Sequence, residues 1–129
     1  MAKILIVDDD PDFVQVTRII LEKNNHKVLS ASNGDAGYQR AKEDHPDLLL
    51  LDIMMDSVLD GLYLSERMHA DSELRNVPII MVTSIANVEY AELFPTDETI
   101  HINAFLSKPF SSDELMQQVK KHLTKRSGG

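Results

Sequence analysis

The chain contains no cysteine among its 129 residues. Disulfides, thiolate metal sites and cysteine nucleophiles are therefore excluded, and the composition fits a reducing, cytoplasmic setting. Aromatic residues make up only 5%. Val, Ile, Leu and Met must fill most of the core, and with 43% hydrophobic residues there are enough of them. No apolar run approaches the length needed to span a bilayer. Met1-Ala2-Lys3 leads straight into a strand-like run, so no signal peptide is expected. Basic residues are scarce, 13 against 21 acidic, and the formal net charge is −8. Such a surface repels phosphate backbones, which argues against direct nucleic-acid binding. The bases that cluster late in the chain, Lys120, Lys121, Lys125 and Arg126, read as a solvated helix end. Internal repeats, low-complexity stretches and domain linkers are also missing, so residues 1–126 read as one domain and 127–129 as a short tail.

What is present is an alternation of strand-like and helix-like segments. Ile4–Val7 is followed by a helix over about Asp12–Lys23, with Asp10 as cap and Pro11 in the first turn. Phe13, Val16 and Ile20 are expected on one face of it. Lys27–Ala31 reads as a second, more exposed strand. Asn33-Gly34 opens a second helix running to about Asp44, and Pro46 stops it before Leu48–Asp52. A third helix covers about Leu59–Ala70, with Leu64 and Met68 stacked four apart. Val77–Val82 reads as the fourth strand and Val88–Phe94 as a short fourth helix. Ala104–Leu106 belongs to a fifth strand. Ser111 and Glu114 have capping-box spacing, and Leu115, Val119 and Leu123 mark a fifth helix.

Five strands alternating with five helices imply an α/β fold with a parallel sheet covered on both faces. The unbroken run Leu48–Leu51 supports this, because a strand with one wet face would alternate with polar residues. Right-handed crossovers make the sheet doubly wound. Ligands of such sheets bind beyond the carboxyl ends of the strands, at the switch in strand order. With order 2-1-3-4-5, the first and third strands flank that switch.

Chemistry-bearing residues collect at those strand ends. Ile4–Val7 runs into Asp8-Asp9-Asp10, Leu48–Leu51 into Asp52, Ile79–Val82 into Thr83-Ser84, and Ala104–Ser107 into Lys108-Pro109. Close carboxylates repel one another, and a hard divalent cation relieves this. Mg²⁺ takes oxygen ligands: Asp9 and Asp52 can supply carboxylates, and a backbone carbonyl just after Asp52 a third oxygen. No His or Cys lies near these segments, which disfavours zinc. Lys108 adds a point charge and Thr83 a hydroxyl donor. Together they suit the equatorial oxygens of a transferring phosphoryl group, with Asp52 as nucleophile. Taken singly, each residue has an ordinary structural reading. An Asp after a strand is commonly a helix cap, and a Lys-Pro step is commonly a turn. The case rests on their joint, ordered occurrence.

The segments Ile4–Asp10, Leu50–Met55, Asp60-Gly61, Met81–Ser84 and Phe105–Phe110 resemble the receiver domain of two-component response regulators, over about Lys3 to Leu123. The resemblance implies a flavodoxin-like fold. It implies that Asp8, Asp9, Asp52 and the Met54 carbonyl hold Mg²⁺ and that Asp52 accepts the phosphoryl group. Thr83 and Lys108 would read that group, Phe105 would act as the aromatic switch, and the Lys108-Pro109 bond is expected to be cis. The implied partner is a sensor histidine kinase or a histidine phosphotransfer protein. Phosphorylation would reshape the face made by the fourth helix, fifth strand and fifth helix, where a downstream protein docks. The implied protein is a signalling phosphoacceptor rather than an enzyme acting on other substrates. It would have no membrane or nucleic-acid partner and be a monomer or a phosphorylation-dependent dimer.

Three departures from the family pattern stand out. Asp56 replaces a proline, in a loop that is one residue longer, and is expected to alter Mg²⁺ affinity. Ile85–Asn103 is long and acidic and lacks the Gly-Ala step; it reads first as a tolerated surface insertion and second as a remodelled fourth helix that selects an unusual partner. Met54 offers no group to orient water, so a long-lived phosphoryl group is expected. Two alternatives fit less well. A phosphohydrolase with an Asp nucleophile normally needs a second acid where Met54 stands. A degenerate receiver used only for binding would have lost an acid, the Thr or the Lys.

Overall fold

The computed structural model describes residues 2–52, 58–84, 104–108 and 110–127. Five strands, β1 (Lys3–Val7), β2 (Lys27–Ala31), β3 (Leu48–Asp52), β4 (Ile79–Ser84) and β5 (Ala104–Lys108), form one parallel sheet in the order β2-β1-β3-β4-β5. Four helices lie among the described residues: α1 (Pro11–Lys23), α2 (Gly34–Asp44), α3 (Val58–Ala70) and α4 (Ser112–Ser127). Five were expected. The expected fourth, Val88–Phe94, lies outside the described residues, as do Met54, Asp56 and Pro109; α4 is the expected fifth helix. Ser127, expected in the tail, closes α4.

The inner strands β1 and β3 bury both faces, and the pleat sorts the sheet's described apolar residues into two cores. Leu5, Val7, Leu29, Leu49, Leu51, Ile79 and Met81 pack on one side with Leu64 and Met68 of α3 and Ala41 of α2. Ile4, Ile6, Val28, Leu48, Leu50, Ile80 and Leu106 pack on the other with Leu21 of α1 and Leu115 and Val119 of α4. All of Leu48–Asp52 is buried, as a strand covered on both sides requires. The helix signals act as expected at two ends. The Asp10 carboxylate accepts from the backbone N–H of Asp12 and Phe13. Ser111 and Glu114 bond reciprocally, N–H to side chain, at 2.9 and 3.1 Å.

Two expectations are corrected. Val16 is 58% exposed, whereas Thr17 and Leu21 are buried. The buried face of α1 runs through Phe13, Thr17, Ile20 and Leu21, and the polar Thr17 had disguised it. The fourth strand begins at Ile79, not Val77, and extends to Ser84. Pro78 has no N–H to give the ladder. Its carbonyl still accepts from Leu49 N at 3.0 Å, while Val77 N turns back to Leu74 O.

Gly37 lies where α2 crosses β1. A Cβ there would sit 2.9 Å from Val7 Cγ2 and 3.3 Å from Cγ1. Val7 is fully buried and stiff at χ1, so it cannot swing aside. In an open helix, Gly→Ala gains about 1 kcal/mol. Here the overlap outweighs the gain, and Gly37→Ala is expected to destabilise by about 1–2 kcal/mol. A urea midpoint above that of the wild type would contradict the tight crossing.

A polar network ties α2 to α3 and the turn that follows it. Tyr38 donates to Asp71 Oδ2 at 2.7 Å, and Lys42 Nζ reaches the same oxygen at 2.9 Å and Glu73 at 3.3 Å. The Arg67 guanidinium lies 4.0 Å from the centre of the Tyr38 ring and pairs with Asp35 at 2.8 Å. Hydrogen bonds from Lys42, Tyr38 and the Glu73 N–H hold the Asp71 carboxyl down to about 2. A carboxyl lowered by folding stabilises above its unfolded pKa, and that contribution is lost as the pH falls through the folded value. The Tm advantage of wild type over Asp71→Asn is therefore expected to be flat near neutrality and to shrink between roughly pH 4 and pH 2. A difference that does not vary with pH would refute native-state ionisation of Asp71.

Candidate functional site

The switch in strand order falls between β1 and β3, and the acids collect there. Asp8 follows β1, and its N–H extends the ladder to Ala31 O at 3.0 Å, which fixes its backbone. Asp52 is the last residue of β3 and pairs in register with Val82. Asp8 and Asp52 are 3% and 6% exposed, while Asp9 faces solvent. One oxygen from each of the three carboxylates lies within 4.8 Å of the others. At the 4.8 Å limit each ionised pair would repel by about 1 to 3.5 kcal/mol, between water-like and protein-surface dielectric.

The donor set decides which cation fits. It consists of hard carboxylate oxygens, and among the described residues no His joins the group. Hard oxygens at this spacing suit Mg²⁺ and not zinc. Asp8 Oδ1 also accepts the Asp10 N–H at 2.9 Å, which orients the Asp8 carboxylate.

Backbone register brings the other expected residues to the same edge. Thr83 is the residue after Val82, opposite Ser107, and Lys108 closes β5 opposite Ser84. Phe105 pairs with Met81, deeper in the sheet. A groove of about 860 Å³ leads from Asp8 and Asp9 over the end of β2. Arg18 and Gln15 of α1 line one side and Gln39 and Arg40 of α2 the other. No local pattern marks this groove, because its walls come from helices on opposite faces of the sheet.

A doubly wound parallel sheet with clustered acids at its switch point defines a flavodoxin-like α/β domain whose acidic edge suits a cation. Residues 4–120 match the family model of the response regulator receiver domain, and the chain belongs to that family. It is similar to the protein PilH of Pseudomonas aeruginosa, with 40% identity over 84 residues, covering 65% of this chain and 69% of PilH. The polar-differentiation response regulator DivK of Brucella ovis is 29% identical over 123 residues, covering 93% of this chain and 94% of DivK. The DNA-binding regulator RpaA of Synechocystis is 31% identical over 120 residues, and the chain spans 48% of its length. Among solved structures, the receiver domain of the sensor histidine kinase PA1611 of Pseudomonas aeruginosa superposes with a TM-score of 0.83 at 27% identity. The match covers 95% of this chain and 98% of that one, and that structure has a magnesium ion coordinated in its active-site cleft. Receiver domains are signalling phosphoacceptors that work with histidine kinases or phosphotransfer proteins. No helix among the described residues is long and apolar enough to cross a membrane.

Proposed function

We propose that this receiver domain accepts a phosphoryl group on Asp52 from the phosphohistidine of a histidine kinase or phosphotransfer protein. The observation that carries the reading is the convergence of Asp8, Asp9 and Asp52 within 4.8 Å at the carboxyl edge of the sheet. An Asp52 oxygen attacks phosphorus, the P–N bond breaks, and its electron pair leaves on the imidazole nitrogen, which is then protonated. Asp8, Asp9, Asp52 and the carbonyl of Met54 would hold Mg²⁺, which would supply charge neutralisation for the incoming group. Burial of Asp52 keeps bulk water from competing for its carboxylate. Lys108 pairs with one phosphoryl oxygen and Thr83 donates to another. Thr83 and Phe105 then shift together to remodel the neighbouring surface for a downstream protein. The domain works in the cytoplasm, as a monomer or a phosphorylation-dependent dimer. It turns over no substrate beyond its own acyl phosphate.

The test is incubation with a small phosphodonor and Mg²⁺, read by intact mass. The wild type is expected to gain one phosphoryl group, and neither the wild type in chelator nor Asp52→Asn is expected to gain any. No gain on the wild type, or equal gain on Asp52→Asn, overturns the proposal.

A further inference from the structure

Asp10 lies outside the acidic cluster, yet the structure ties it to both sides of the site. Its carboxylate accepts from Asp12 N at 3.0 Å and from Phe13 N at 3.4 Å, and so caps α1. Its carbonyl accepts the first intrahelical bond, from Val14 N at 3.1 Å. These bonds hold Asp10 at φ −96°, ψ 105°, an extended cap conformation. Its own N–H then donates to Asp8 Oδ1 at 2.9 Å. That N–H belongs to the peptide joining Asp9 to Asp10. The cap on one side and the Asp8 carboxylate on the other therefore fix the plane of the peptide that carries Asp9.

We propose that Asp10 is a positioning residue for the cation site: by capping α1 it aims its N–H at Asp8 and so holds Asp8 and Asp9 in the ligating arrangement. The inference rests on the Mg²⁺ reading of the acidic cluster above. Its chemistry is that of an outer partner orienting a ligand, whose loss typically weakens metal binding by about tenfold or more. Because the coupling is reciprocal, cation binding also tightens the first turn of α1. The pattern Asp8-Asp9-Asp10 thus divides into two residues that hold the cation and one that holds those two.

A purely electrostatic role would give a different result, and neutral caps separate the two. Asn caps a helix as well as Asp does but carries no charge. Mg²⁺ titrations followed by calorimetry on wild type, Asp10→Asn and Asp10→Ala make the test. Asp10→Asn is expected to bind Mg²⁺ within about twofold of wild type, because salt screens an exposed carboxylate. Asp10→Ala is expected to bind about tenfold more weakly. Glu22→Gly, at the exposed far end of α1, serves as the control. It weakens the helix without touching the cap and is expected to keep wild-type affinity. Equal loss in Asp10→Asn and Asp10→Ala, no loss in Asp10→Ala, or a matching loss in Glu22→Gly overturns the positioning role. Failure of the wild type to bind Mg²⁺ would instead overturn the reading of the site itself.

Discussion

An Asp8→Asn, Asp9→Asn double variant is expected to be more stable than the wild type in chelator and less stable in saturating Mg²⁺. The first half follows from repulsion. Three carboxylate oxygens lie within 4.8 Å of one another, and two of the side chains that carry them are buried. Neutralising two of the three removes every like-charge pair in the cluster. Asn at position 8 keeps an oxygen able to accept the Asp10 N–H, so the local geometry survives. A gain of about 1 kcal/mol or more is expected without cation. The second half follows from linkage. A cation present at a hundred times its Kd stabilises the folded state by about 2.7 kcal/mol. For a chain of this size that amounts to a rise in Tm of roughly 10 °C. The wild type is expected to show this rise and the double variant none, so their melting curves change order between chelator and Mg²⁺. Thermal unfolding by circular dichroism at low salt checks both halves. An equal response to Mg²⁺ in the two proteins would place the cation elsewhere.

Leu50→Ala is expected to cost about 3 kcal/mol. Leu50 is 1% exposed and sits in β3, between two neighbouring strands and under the cover of α1 and α4. Truncation opens a cavity that a close-packed sheet cannot collapse to fill. A domain of this length has a total stability of about 6 to 19 kcal/mol, so the one isopropyl group removed carries a large share of it. Leu50→Met keeps the volume and is expected to cost under about 1.5 kcal/mol. Val16→Ala, on the exposed side of α1, is expected to lie within about 0.5 kcal/mol of wild type. Urea midpoints of the three variants rank these effects. Near-equal midpoints for Leu50→Ala and Val16→Ala would contradict the burial of β3.

These two predictions draw on features that differ in how plainly the sequence displays them. The run Leu48–Leu51 announces a strand buried on both faces, because no polar residue interrupts it. The acids after β1 and at the end of β3 are legible for the same reason: each closes an apolar run, and parallel strands bring such ends together. Other features depend on distance along the chain. Tyr38 and Asp71 are bonded across 33 positions, and nothing local to either marks the other as a partner. Apolar spacing puts Val16 on the buried face of α1, whereas the residue buried there is the polar Thr17. Val77 has a strand-like side chain, but Pro78 lacks the N–H a ladder needs, so β4 starts at Ile79. Asp10 was legible as a cap. Its bond to Asp8 depends on backbone direction, which residue type does not encode.

The strand order also constrains how the chain can assemble. Lys3 pairs with Lys27, but Ile4 pairs with Leu48, a loop of about 44 residues against about 24. If β2 docks on β1 first, only about 17 residues then separate the end of β2 from Leu48, and the closing entropy for β3 falls by about 0.8 kcal/mol. The β1-α1-β2 unit is therefore expected to form before β3 arrives. Asp8 and Asp9 are then already in place, and Asp52 is carried last into a position that is already negative. Any cation that softens that arrival acts on the speed of folding as well as on the finished site.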